Sequence, residues 1–145
     1  MVIEDIKSIP KAALVIGLSG LLPFIFLSSF SVYQSPDVHS EISSALLGYG
    51  AIILSFLGGV RWGVAMSETS PTRIVSQLCV SIIPSLVGWT AFLIENQIGL
   101  LILTAAFFLL LLLDYKLPGA PSWYFGLRII LSTAVIASLL TVLTV

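Results

Sequence analysis

Five long apolar segments, separated by short polar stretches, dominate the sequence. Each is about 20 residues long, the length at which an α-helix crosses the hydrocarbon core of a bilayer. The pattern predicts five membrane-spanning helices, over about residues 11–29, 43–66, 73–94, 98–114 and 123–144. Because the turn between the third and fourth contains little more than Glu95, Asn96 and Gln97, those two helices should be antiparallel neighbours.

The basic residues all fall on one side when these helices are threaded in order. The six Lys and Arg residues are Lys7, Lys11, Arg61, Arg73, Lys116 and Arg128. The two connections on the other side and the C-terminus carry neither Lys nor Arg. Basic residues are enriched on the cytoplasmic side of membrane proteins. The charge pattern therefore predicts a cytoplasmic N-terminus and a C-terminus outside.

The predicted fold class is an all-α integral membrane protein, a five-transmembrane-helix up-down bundle formed by a single domain over residues 1–145. Glu4 and Asp5 occupy the place where a signal peptide would carry positive charge, so the first helix is predicted to be retained. Residues 31–42 are predicted to form the longest outer loop. Asp37, His39 and Glu41 would then be ordinary solvated loop residues.

The composition excludes several classes of protein. Hydrophobic residues make up 58% of the chain and charged residues 9%, whereas soluble domains carry roughly 25% charged residues. Five spans use about 100 residues, which leaves no room for a soluble catalytic domain. A net charge of −1 gives no basis for nucleic-acid binding. The function must lie within the bundle or at its short rims.

Small residues recur at every fourth position of the second predicted helix. They are Ala51, Ser55, Gly59 and Gly63. Small residues at this spacing let helix backbones approach closely in lipid. The pattern predicts helix packing along this face, with contact to a ligand as the alternative.

Three ionisable residues lie within or at the ends of predicted spans, namely Arg61, Asp114 and Arg128. Such groups are costly in a membrane and are candidate functional residues. The helix macrodipole disfavours Asp114 at a C-terminus and Arg128 near an N-terminus. We therefore expect Asp114 to pair with an arginine, with Trp62 and Tyr124 nearby, as a structural ion pair or as a site for a ligand.

No familiar catalytic pattern is present. His39 is predicted on the outer side and Cys79 near the inner side, so they cannot form a catalytic pair. The sequence contains no nucleophile elbow, no zinc-protease motif and no phosphate-binding loop. We predict that the protein is not an enzyme and that it uses neither a metal nor another cofactor.

Three sequence stretches resemble the bacterial domain of unknown function 3429, a family that includes mitochondrial transmembrane protein 69. They are residues 49–63, Pro84-Ser85 followed by Trp89, and Pro121-Ser122-Trp123-Tyr124 followed by Leu127-Arg128. The resemblance covers most of the chain. It implies a small multi-pass protein of the bacterial inner membrane or the mitochondrial inner membrane, and no established activity. We expect the bacterial inner membrane.

Three functions remain open on the sequence. The leading hypothesis is a non-catalytic accessory or assembly subunit that acts through helix contacts with a membrane-protein partner. The alternative is a protein that binds or transports a lipid, quinone or anionic small molecule in an intramembrane pocket, with Arg61 at its mouth. The third is a homo-oligomeric channel built on the small-residue face of the second helix.

Overall fold

A computed structural model describes residues 6–115 and 117–145, which it folds into five long helices without any strand. The helices are α1 (Lys11–Ser31), α2 (Pro36–Ala65), α3 (Pro71–Leu93), α4 (Asn96–Asp114) and α5 (Ser122–Thr144). All five are long and apolar enough to cross a membrane. The predicted all-helical, five-span fold is therefore confirmed. Glu4, Asp5 and Lys116 lie outside the described residues.

The start of α2 is where the structure departs most from the predicted helix boundaries. The helix begins at Pro36, so the predicted loop over residues 31–42 is wrong, and only residues 32–35 connect α1 to α2. Proline suits the first turn of a helix because its missing N–H would be unpaired there anyway. Asp37 in the same turn complements the macrodipole. Asp37, His39 and Glu41 consequently lie on a helix rather than in a loop.

α2 lies at the centre of the bundle, against α1, α3 and α4. Its backbone packs directly against that of α3, where a Cβ added to Gly58 would lie 2.5 Å from the carbonyl oxygen of Ser81. Seven residues earlier on α2, the Cα of Ala51 would lie 3.0 Å from a Cβ added to Gly88 of α3. Glycine at these two positions lets the two backbones come together. The buried hydrophobic core of the bundle includes Leu46, Leu54, Leu103, Phe107 and Leu139.

Only part of the small-residue face of α2 packs against another helix of this chain. Ala51 contacts Gly88, whereas Gly59 and Gly63 are exposed and would have no atom within 4 Å of an added Cβ. Helical geometry explains the difference. Positions four apart advance by about 40° around the axis at each step, so the stripe winds away from α3. Gly58, seven residues after Ala51, stays on the packed face.

Polar side chains tie the helices together at the end of the bundle opposite Lys11. The side-chain amide of Asn96, at the start of α4, donates to the carbonyl oxygen of Ser40 at 2.9 Å and to the hydroxyl of Ser44 at 3.0 Å. The Nε2 atom of His39 lies 3.2 Å from the carbonyl oxygen of Val142, near the end of α5. These contacts hold the N-terminal end of α2 against the start of α4 and the end of α5.

The predicted threading can be tested with reporters fused at the C-terminus. Because five spans put the two ends of the chain on opposite sides, alkaline phosphatase should be active there and green fluorescent protein dark. Fusion in the turn between α2 and α3 should give the reverse pattern. A fluorescent C-terminal fusion would contradict the charge-based orientation.

The contrast between Gly58 and Gly59 gives a matched test of the packing. Gly58→Ala should lower the free energy of unfolding by about 1–3 kcal/mol, because the added methyl overpacks against a backbone oxygen. Gly59→Ala adds the same methyl to an open surface and should leave stability unchanged or raise it by about 1 kcal/mol. Thermal unfolding of the purified variants in detergent measures both. Equal destabilisation of the two would contradict the α2–α3 contact.

Candidate functional site

The last residue of α4, Asp114, carries a carboxylate that is fully buried, with the whole residue only 1% exposed. It lies at the end of the bundle where α1 begins, which we call the Lys11 end. A buried carboxylate at a helix C-terminus is disfavoured twice, by desolvation and by the macrodipole. It therefore requires strong donors around it.

Arg61 of α2 supplies the first of these donors. Its Nη1 atom lies 2.6 Å from Oδ1 of Asp114 and 3.2 Å from the carbonyl oxygen of Leu113. The second contact satisfies one of the carbonyl groups that the end of α4 leaves without an intrahelical partner. Arg61 therefore both neutralises Asp114 and caps its helix.

Arg128 and Tyr124 of α5 complete the cluster on the other carboxylate oxygen. The Nε atom of Arg128 lies 2.7 Å from Oδ2 of Asp114, and the Tyr124 hydroxyl donates to the same oxygen at 3.3 Å. Arg128 is 4% exposed. The cluster thus joins α2, α4 and α5 through a single carboxylate. We call Arg61, Asp114, Tyr124 and Arg128 the ion cluster.

The ion cluster carries more positive than negative charge. Two guanidinium groups share one carboxylate, which leaves a formal charge of +1. Both cations are largely buried, with side-chain exposures of 11% for Arg61 and 4% for Arg128. Net charge in a membrane interior is costly. The arrangement favours an additional negative charge nearby.

Three buried polar atoms in this region have no hydrogen-bond partner among the described residues. They are Nε of Arg61, Nη2 of Arg128 and Oγ of Ser132. Ser132 is 0% exposed and lies four residues after Arg128, on the same face of α5. Buried polar groups are nearly always paired. Arg128 and Ser132 therefore present donors that the protein itself does not use.

Both of these residues line a cavity of about 480 Å³ between α1, α2, α4 and α5. The other walls are mostly apolar and include Phe24, Tyr49, Phe107 and Val135. Gly17 and Gly20 of α1 also line the cavity, and neither has a side chain that would fill it. Ile16 and Phe56 line the cavity and are also exposed, so it opens towards lipid between α1 and α2. We call it the α1–α5 cavity.

The sequence-predicted site residues are not all brought together. Arg61, Asp114, Arg128 and Tyr124 meet in the ion cluster, whereas Trp62 is exposed and lies outside it. Ser132 and the cavity-lining residues of α1 are not among the residues predicted from the sequence. The four-residue spacing from Arg128 to Ser132 was a signal for a shared face. Nothing in the sequence showed that the Ser132 hydroxyl would be unpaired.

These features define the class: a multi-pass helical membrane protein with a buried, positively charged ion cluster beside a cavity that opens to lipid. Within the described residues, no group of three or more His, Cys, Asp or Glu side chains could hold a metal ion.

The chain belongs to the family described as protein of unknown function (DUF3429), whose model matches residues 9–144. It is 38% identical over 141 residues to transmembrane protein 69 of Xenopus tropicalis, covering 94% of this chain and 55% of that protein. It is 34% identical over 125 residues to transmembrane protein 69 of Mus musculus, covering 83% of this chain and 51% of that protein. The chain thus spans about half the length of these relatives. No solved structure matches.

The dependence of the fold on the ion cluster can be tested with Asp114→Asn. The amide keeps the shape of the side chain but leaves two guanidinium groups without a counter-charge, which should cost about 3–5 kcal/mol. Thermal unfolding in detergent and the amount of protein that accumulates in the membrane measure the loss. Glu41→Gln, which neutralises an exposed carboxylate of α2, is the control and should behave like wild type. An Asp114→Asn protein as stable as wild type would contradict the structural role.

Proposed function

We propose that this chain is a non-catalytic protein of the bacterial inner membrane that binds an amphiphilic small molecule in the α1–α5 cavity. One observation carries the proposal. Arg128 and Ser132 line an otherwise apolar cavity, and each carries a buried donor, Nη2 and Oγ respectively, without a partner among the described residues. A ligand with an apolar body and a hydrogen-bond acceptor would fill the space and satisfy both donors.

The size and position of the cavity support the same function. Small-molecule sites are typically about 300–1,000 Å³, and the cavity measures about 480 Å³. Its exposed rim residues, Ile16 and Phe56, lie on helix surfaces that face lipid in the membrane. A hydrophobic molecule could therefore enter from the bilayer without crossing water.

The proposal that the protein is not an enzyme rests on what surrounds the cavity. The polar side chains that line it are Ser19, Tyr49, Arg128 and Ser132. None of them is a carboxylate or an imidazole, the side chains that most often act as general bases in enzymes. Binding, delivery or transport of the ligand fits this set of side chains better than chemical conversion.

A second candidate function is the contact role of an accessory subunit. The observation that favours it is the open surface at Gly59 and Gly63, where another helix could approach closely. A protein partner or another copy of the chain, as in a homo-oligomeric channel, would cover the same surface. The small-residue face and the cavity lie on different parts of α2, so the two functions can be separated by mutation.

Two substitutions separate the two functions: Gly20→Leu blocks the cavity, and Gly63→Leu blocks the open small-residue face. An added Cβ at Gly20 is 3.9 Å from the Tyr49 hydroxyl, so a leucine there would occupy the cavity without striking backbone. A leucine at Gly63 would lie on the open surface. Both changes replace glycine by a better helix former, so both proteins should fold.

Native mass spectrometry after gentle extraction from the source membrane reads out both functions at once. We expect one bound small molecule on wild type and on Gly63→Leu, and none on Gly20→Leu. A bare wild-type chain, or a ligand retained by Gly20→Leu, would contradict the proposed site. A protein partner that survives in Gly20→Leu and is lost from Gly63→Leu would instead establish the contact role.

A further inference from the structure

We infer that the ligand of the α1–α5 cavity is a long-chain amphiphile with an anionic oxygen head group, a carboxylate or a phosphate, held by Arg128 and Ser132. The inference rests on the proposed ligand-binding function and adds the chemical class of the ligand. Its evidence is the charge of the ion cluster, the placement of the two free donors and the distribution of polar atoms around the cavity.

The charge of the ion cluster favours an anion over a neutral acceptor. Asp114 is shared between Arg61 and Arg128, so one positive charge remains uncompensated among these three side chains. A neutral carbonyl could accept a hydrogen bond but would leave that charge buried in the membrane. A carboxylate or phosphate would accept the hydrogen bond and also neutralise the charge. Charge-assisted hydrogen bonds are, in addition, about twice as strong as neutral ones.

The two residues that carry the free donors lie on one face of α5. Arg128 uses its Nε atom on Asp114, which leaves Nη2 for a different acceptor. Ser132 follows one helical turn later, on the same face of α5. A single oxyanion has enough lone pairs to accept from both.

The hydroxyl of Ser132 is fully buried and has no hydrogen-bond partner among the described residues. Ser28, Ser31 and Ser81 each donate to the carbonyl oxygen three residues earlier in their own helices. Ser132 has no such bond. A fully buried hydroxyl without a partner loses its hydration and gains no hydrogen bond in return, so an acceptor from outside the chain would stabilise it.

The remaining polar groups of the cavity are already engaged, so the ligand needs only one polar end. The Tyr49 hydroxyl donates to the carbonyl oxygen of Gly20 at 2.8 Å, and the Ser19 hydroxyl donates to that of Ile16 at 2.7 Å. Away from Arg128 and Ser132 the walls are apolar side chains such as Phe24 and Phe107. This pattern suits a hydrocarbon chain that leads from one charged head.

Three probes that share one saturated chain length separate the possible head groups. They are palmitate, hexadecanol and palmitoyl lysophosphatidate, each titrated against purified full-length protein and followed by native mass spectrometry. We expect the two anionic probes to bind at least tenfold more tightly than hexadecanol. The stronger of the two anions identifies the head group as carboxylate or phosphate.

Ser132→Ala tests the placement of the head group. Loss of a hydrogen bond to a charged group should weaken binding of the preferred anion about tenfold, with little change for hexadecanol. Ser138→Ala is the matched control, because Ser138 is buried on the same helix and does not line the cavity. Equal effects of the two substitutions would overturn the assignment.

The titrations also distinguish failure of this inference from failure of the proposed function. If hexadecanol binds as tightly as the anions, the inference of an anionic head is wrong, and the cavity remains an amphiphile site. If folded wild-type protein binds none of the three probes, the proposed function itself is wrong. If Ser132→Ala does not fold, the order of the three affinities on wild type decides the matter alone.

Discussion

The buried carboxylate of Asp114 is the constraint on which the rest of the structure depends. It ends a helix in a membrane, where neither water nor the macrodipole can stabilise it. Two arginines and a tyrosine hydroxyl from α2 and α5 provide the donors it needs. Because one side chain accepts from both neighbouring helices, it also fixes the relative positions of α2, α4 and α5 at the Lys11 end.

The same arrangement creates the conditions for binding. One carboxylate cannot neutralise two guanidinium groups, and Arg128 offers it only one of its nitrogens. Arg128 also lines the α1–α5 cavity, which opens between α1 and α2. From the sequence alone, a structural ion pair and a ligand site are alternative interpretations of the charged residues in the spans. In the folded protein, the pair positions the group that would bind the ligand.

The sequence predicted the spans well because each apolar run is long and is bounded by polar residues. It predicted the start of α2 poorly, since residues 36–42 are polar and only Pro36 indicates a helix start. Of the ion cluster, Arg61, Asp114 and Arg128 stand out in the sequence as charged residues in or at the ends of apolar spans. The packing face of α2 was harder, because a four-residue repeat drifts around the helix and the seven-residue step from Ala51 to Gly58 makes the contact. Unpaired hydrogen-bond donors such as Ser132 are properties of the folded chain and cannot be predicted from spacing.

The most direct test of this account is an experimental structure of the protein in a lipid nanodisc formed with native membrane lipids. The account predicts elongated density in the α1–α5 cavity, with its head within hydrogen-bond distance of Arg128 Nη2 and Ser132 Oγ and its tail between α1 and α2. An empty or collapsed cavity, with those two atoms bonded to other groups of the chain, would contradict it.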